Sequence, residues 1–297
     1  IWAERYLQNK HFGKHQECNT RCLIDKVTRF EDEHKHPMNI DSMTADDLRV
    51  FADFLSSDYD ISMNTIVTNM TLMRTVCNWV RKQGVTNNDP FFGYDMPKAL
   101  YGTPYFLTIQ ERDQVLDADL TDDAELAEYR DMFVFQCMVG CRHSDLVTFT
   151  PKNIIDGVLE YIPIKTKGKL GDVVRVPLIP KAMAILDGHD HGDDEPIFPK
   201  HYNFKFNDAI RRILKRAKVN RVVTVINPKT RLEEKKPISD VATSHLARRT
   251  FIGNLYRMVK DPDLVASMSG HAKGSVAFAR YRVIDDDMKK SLVELIQ

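Results

Sequence analysis

The chain carries no surplus of charge of either sign, since 42 basic residues balance 42 acidic ones among its 297. That balance excludes a uniformly cationic surface and an acidic tail, so any affinity for a polyanion has to come from local clusters. Also missing is an apolar run as long as a membrane span, and the opening Ile1-Trp-Ala-Glu-Arg-Tyr6 lacks the basic-then-apolar order of a secretory signal. A helical membrane protein is thereby excluded and a cytoplasmic location is expected by default. Cysteine is scarce and odd in number. Cys18, Cys22, Cys77, Cys137 and Cys141 make neither the paired spacing of a structural zinc site nor a disulfide framework, and they are expected to be reduced and mostly buried. No internal repeat or low-complexity tract is visible. The first residue is not Met, so a trimmed start with a further domain before it is expected.

What is present divides in two. A chain of this length exceeds one typical domain, and each half can bury its own core. Thr44 to Leu55 has a capping Thr, early acids and apolar residues at helical spacing, and predicts a helix. After Ser62, Ile66, Met70, Met73, Cys77 and Val80 recur at steps of three and four until Gly84. Leu7 to Phe30 reads as one more amphipathic helix. The first hundred residues are therefore expected to be all-helical, with nothing in them resembling a catalytic set. Asn, Asp, Gly and Pro crowd the stretch from Asn87 to Pro104 and mark a connection. Domains are expected at 1–100 and 104–297.

The second region opens on Thr108-Ile-Gln-Glu111, a capping box. A long buried helix is expected from Ala124 to Val139, closed by Gly140. Two strand-like runs follow, Val158 to Ile164 and Asp172 to Leu178, with the turn Lys165-Thr-Lys-Gly-Lys-Leu-Gly171 between them. Helices are expected at Pro180 to Leu186, Phe204 to Ala217, Ser244 to Val259, Pro262 to Ser267 and Asp285 to Ile296. Arg221 to Ile226 is a further candidate strand, followed by a polar loop. The fold class is mostly α with a small antiparallel β-sheet, a helical domain followed by a mixed α+β one.

Several polar residues sit at element ends. Arg142 follows the Gly140 stop and precedes Asp145, a carboxylate able to hold a guanidinium in the fork geometry that also suits a phosphate. His245 and Arg248 share one helical face near an N-terminus, where unpaired amides favour anions. His271 leaves the short helix from Pro262 at a Gly270 turn, and Tyr281 lies ten positions further on. Arg211, Arg212 and Lys215, with Arg216, Lys218 and Arg221, form a basic run able to track phosphates, although such a run is more often a solvated face. Each motif alone has a plain structural reading: an Arg–Asp pair, a chance spacing, a surface His, a core Tyr.

In order and spacing the set resembles the tyrosine recombinase (phage integrase) family. The matching motifs are Gly140-Cys-Arg142-His-Ser-Asp145-Leu, the Lys165/Lys167 hairpin, His245-Leu-Ala-Arg248, Gly270-His271 and Tyr281. The resemblance covers Thr108 to Gln297, and the region before it resembles the family's core DNA-binding, SAM-like domain. It implies a site-specific recombinase, integrase-like and belonging to a mobile element, that cuts and rejoins double-stranded DNA through a 3′-phosphotyrosine on Tyr281. Arg142, Lys165, His245, Arg248 and His271 would be catalytic and Asp145 would buttress Arg142. Lys167 stays open as the alternative hairpin lysine. No metal, ATP or other cofactor is implied. A homotetramer is expected on DNA and a monomer without it, with the final helix docking on a neighbouring protomer or packing in its own domain. The step from His271 to Tyr281 is one residue longer than is usual in the family.

Other readings remain. A type IB topoisomerase shares the tyrosine chemistry, and a catalytically inactive DNA-binding regulator shares the fold. A metal-dependent hydrolase could invoke His189-Asp-His191-Gly-Asp-Asp-Glu195, which reads better as a solvated turn.

Overall fold

The structure, a computed structural model, describes residues 2–9, 13–166, 173–189, 192–259, 261–271 and 293–294. The chain forms two compact units, Ile1–Gly102 with Ile226–Glu234, and Thr103–Val225 with Lys235–Gln297.

The first unit is helical: α1 (Trp2–Gln8), α2 (Lys14–His34), α3 (Ala45–Ser57) and α4 (Met63–Lys82). The single helix expected from Leu7 to Phe30 is two helices. Gly13, extended at φ −67° and ψ 148°, caps the start of α2 and breaks the run. Thr44 and Ser62 cap α3 and α4 through their hydroxyls, as the sequence predicts. Tyr6, Phe30, Leu48, Phe51, Leu55, Ile66, Met70 and Val80 form the core. Residues 226–234, expected with the second domain, belong to this unit. The Pro228 carbonyl accepts the Met63 N–H at 3.2 Å, Lys229 pairs with Asp60, and Arg231 donates to the Lys98 carbonyl at 3.2 Å.

The second unit begins with α5 (Ile109–Leu116) and is built around α6 (Ala124–Val139). From Met132 to Val139 every residue of α6 is buried, so this stretch has no solvent face and must be enclosed. Around it stand α7 (His143–Leu146), α8 (Pro180–Asp187), α9 (Asn203–Arg216), α10 (Ile238–Val241), α11 (Ser244–Val259) and α12 (Pro262–Ser269). A three-stranded antiparallel sheet, β1 (Ile154–Ile155), β2 (Val158–Tyr161) and β3 (Val174–Pro177), pairs Leu159 with Val176 and Tyr161 with Val174. Those four side chains point inward, as strand alternation requires. The strand β1 escapes the sequence reading, though Asp156-Gly157, both at positive φ, is the two-residue turn that joins it to β2. The expected strand ends early. Ile164–Thr166 is a 3-10 turn, while Lys167 and the rest of the hairpin tip lie outside the described residues. A second sheet pairs β4 (Val222–Ile226) with β5 (Glu233–Pro237), whose sequence Glu-Glu-Lys-Lys-Pro has no apolar alternation to announce it. Of the expected final helix, only 293–294 are described, and they are helical.

The entry to the second unit is fixed by the predicted capping box. The Thr108 hydroxyl accepts the Glu111 N–H at 3.1 Å, and the Glu111 carboxylate accepts the Thr108 N–H at 2.8 Å. The same carboxylate pairs with Arg221 at 2.6 Å. Thr108→Ala is expected to cost about 1 kcal/mol, read as a lower urea midpoint with an unchanged slope.

Candidate active site

Two glycines begin the site. Gly140 ends α6 in the left-handed region, at φ 69° and ψ 11°, where an added Cβ would sit 2.2 Å from the Phe251 ring. The chain therefore leaves α6 abruptly, and Arg142 follows in extended conformation as the cap of α7. Gly270 ends α12 likewise at φ 64°, with Val174 and Pro163 so close that a Cβ would meet them at 2.9 and 3.2 Å. This contact sets His271 beside the β2–β3 sheet.

Arg248 joins these ends. It projects from α11 and is only 2% exposed, yet its guanidinium is permanently charged and has to be hydrogen-bonded. Nη1 donates to the Gly140 carbonyl at 2.7 Å, and Nη2 meets the His271 ring at 3.0 Å (Nδ1) and 3.2 Å (Nε2). A guanidinium only donates, so the ring nitrogen that receives it is unprotonated. Ser269 adds its hydroxyl 2.9 Å from His271 Nδ1. Desolvation, reinforced by Arg248, Arg142, His245 and Lys165, pushes the His271 pKa down to about 3. His245 responds in the same way: desolvation first, then Arg249, Arg248, Arg142 and Lys165, bring it down to about 4 although part of the residue meets solvent. Burial first, and then the shared cations Arg142, Arg248 and Lys165, hold both imidazoles neutral. The structure brings these five expected residues into one electrostatic neighbourhood. Tyr281 lies outside the described residues.

Asp145 is placed differently from its expectation. It is 1% exposed and makes no ion pair with Arg142 among the described residues; instead its Oδ1 accepts the Ile164 N–H at 2.9 Å. Arg142 is the extended cap of α7, while Asp145 lies within that helix. What Asp145 fixes is the root of the turn that carries Lys165.

In the basic run, Arg211 pairs with Asp208 of the same helix at 3.4 Å, while Arg212 pairs with Asp123 at 2.7 Å, Lys215 with Asp240 at 2.8 Å and Arg216 with Asp122, carboxylates from elsewhere in the unit. Of the acidic turn, His189 lies 3.6 Å from Asp131 and packs edge-on against Phe198, and 190–191 lie outside the described residues. Among the described residues no group of three or more His, Cys, Asp or Glu side chains is placed to hold a metal ion. Cys77, Cys137 and Cys141 are buried, whereas Cys18 and Cys22 are exposed; all five are free thiols. Ser269 was overlooked in the sequence, although its place two residues before His271 was there to be read.

Three cations and two neutral imidazoles thus gather where α6 and α12 end and α11 begins. Protein-family comparison covers both units. The Phage integrase family matches residues 105–288, and the Phage integrase SAM-like domain matches residues 2–96. The chain belongs to the phage integrase family and is a site-specific tyrosine recombinase, which cuts and rejoins DNA. Comparison with curated proteins returns no match. Among solved structures, a lambda integrase dimer bound to a COC′ core site is 14% identical, with 96% of this chain and 95% of that one covered, at a TM-score of 0.69. The Tn1549 transposon integrase in complex with circular intermediate DNA is 16% identical over 98% of this chain and 97% of that one, at 0.71. A lambda integrase tetramer bound to a Holliday junction is 14% identical over 95% and 76%, at 0.63. At these identities the likeness is one of fold.

Two outcomes follow. Asp145→Ala removes the acceptor for the partly buried Ile164 N–H and is expected to cost about 1 kcal/mol and to slow DNA cleavage, whereas Asp145→Asn keeps an acceptor and retains most of both; thermal melts and cleavage rates compare them. An unfolded imidazole takes up its proton near about pH 6.5, but the folded His245 and His271 do so only near 4 and 3. Between those values the unfolded chain binds more protons, so stability is full above about pH 6.5 and falls as the pH drops towards 3. Denaturation midpoints measured across that range, with His271→Gln flattening the dependence, check it.

Proposed function

We propose that Tyr281 attacks a phosphodiester of double-stranded DNA to form a 3′-phosphotyrosine and release a 5′-hydroxyl. The O–P bond to the phenol forms as the P–O5′ bond breaks. The phenol proton passes to His245, and the leaving oxygen receives a proton from Lys165. Arg142 and Arg248 hold the non-bridging oxygens and meet the charge that grows in the pentacoordinate transition state, while His271 hydrogen-bonds the same phosphate. A free phenol titrates near about 10, so it needs the base.

The observation that carries this reading is the meeting of Arg248 with the Gly140 carbonyl and the His271 ring, beside a His245 that burial and the neighbouring cations keep unprotonated. It makes His245 an unprotonated acceptor at neutral pH and marks a place where positive charge is concentrated. An incoming phosphate offsets that charge and raises both pKa values, strengthening the base as substrate arrives. Lys165 is favoured over Lys167 because its turn is anchored by Asp145. The family match runs through Tyr281.

The phosphotyrosine conserves the energy of the broken bond, so neither ATP nor a metal has to supply it. A 5′-hydroxyl from a second duplex reverses the step and joins new ends. Integration or excision of a mobile element, with four protomers on two duplexes, is the biological form of this reaction. The similar folds support it, one being a transposon integrase with circular intermediate DNA and another a tetramer on a Holliday junction.

A nicked duplex that traps the covalent adduct tests the proposal. Tyr281→Phe is expected to give no adduct, while the unaltered protein forms it in the presence of a metal chelator. Adduct formed equally by Tyr281→Phe would remove Tyr281 as the nucleophile, and loss of adduct on chelation would remove metal independence.

A further inference from the structure

The ring of His245 makes no hydrogen bond among the described residues, so its position depends on the backbone that carries it. That backbone is the start of α11, where the first amides have no partner within the helix. Ser244, the first residue of α11 and only 8% exposed, is held from outside. Its N–H donates to Asn207 Oδ1 at 2.8 Å, and its hydroxyl donates to Asn203 Oδ1 at 3.2 Å. Both asparagines belong to α9, one helical turn apart on a single face. Between them, Phe206 is fully buried and stacks on the ring of His143 at 5.0 Å and 28°. His143 follows Arg142. One turn of α9 therefore touches the chain neighbours of two residues in the site without reaching the site itself.

We propose that Asn207, assisted by Asn203, is a positioning residue for His245, fixing the first turn of α11 and with it the backbone that carries the imidazole. This inference rests on His245 acting as the base. Its physical basis is the steep dependence of proton transfer on placement, in which a shift of about 1 Å at a reacting group can cost on the order of a hundredfold in rate. A buried helix start with two dedicated acceptors has little freedom to shift.

Single-turnover cleavage of the nicked duplex by the full chain, with DNA affinity measured in parallel, tests it. Asn207→Ala is expected to slow cleavage about tenfold with DNA affinity unchanged, and Asn203→Ala, at an exposed position, about threefold. Asn207→Asp keeps the acceptor oxygen and is expected to retain most of the rate. In a His245→Gln background each alanine substitution is expected to change the remaining rate by less than about twofold, because coupled residues are not additive. Losses of equal size in both backgrounds, or no loss in the unaltered background, would overturn the proposal. Should Asn207→Ala fail to fold, Asn203→Ala carries the same comparison. Separately, if His245→Gln cleaves like the unaltered protein, the role of His245 falls and this inference falls with it.

Discussion

The buried guanidinium of Arg248 is the constraint on which the second unit depends. A permanent charge in a dry interior costs several kcal/mol unless its donors are met, and here they are met by the end of α6 and by the ring that follows α12. Three helices, α6 and the consecutive α11 and α12, are thereby tied at one point. The neutrality of His271 is part of the same solution, because only an unprotonated nitrogen can receive the guanidinium. Structure and chemistry share these atoms: the carbonyl and the imidazole that let Arg248 be buried also fix the direction of its guanidinium.

Much of this was legible in the sequence where the cause was local. Thr44, Ser62 and Thr108 announce helix starts through their own hydroxyls, and Gly140 and Gly270 announce stops because the left-handed region excludes most other residues. The candidate site was legible because its residues lie at such ends, in the order the family uses. Non-local pairing was not. Nothing near Asp145 in the chain says that its partner is an amide nineteen residues away rather than a guanidinium three away. The asparagines of α9 sit among a basic run that drew attention to charge, while their function is to accept hydrogen bonds from a helix about forty residues later.

The zero net charge acquires a meaning from the ion pairs. Arg212, Lys215, Arg216 and Arg221 each have a carboxylate from a distant segment, so the acidic residues around Asp122 and Asp123 belong to the architecture of α9. Exposed pairs of this kind contribute little stability individually, with a median of about 0–1 kcal/mol. Their common effect is to set a carboxylate beside each of these cations.

The glycine caps have a consequence for how this family can vary. Arg142 and His271 are placed by the points where α6 and α12 end, one or two residues beyond a left-handed turn, and not by a face of either helix. Substitutions along those helices can therefore be frequent so long as their lengths are kept. A single inserted or deleted residue in α6 is another matter, because it turns the exit of the chain by about 100° around the helix axis. The Gly140 carbonyl would then face away from Arg248. Sequence drift should be broad and length drift narrow, with insertions confined to the connections that do not feed these caps.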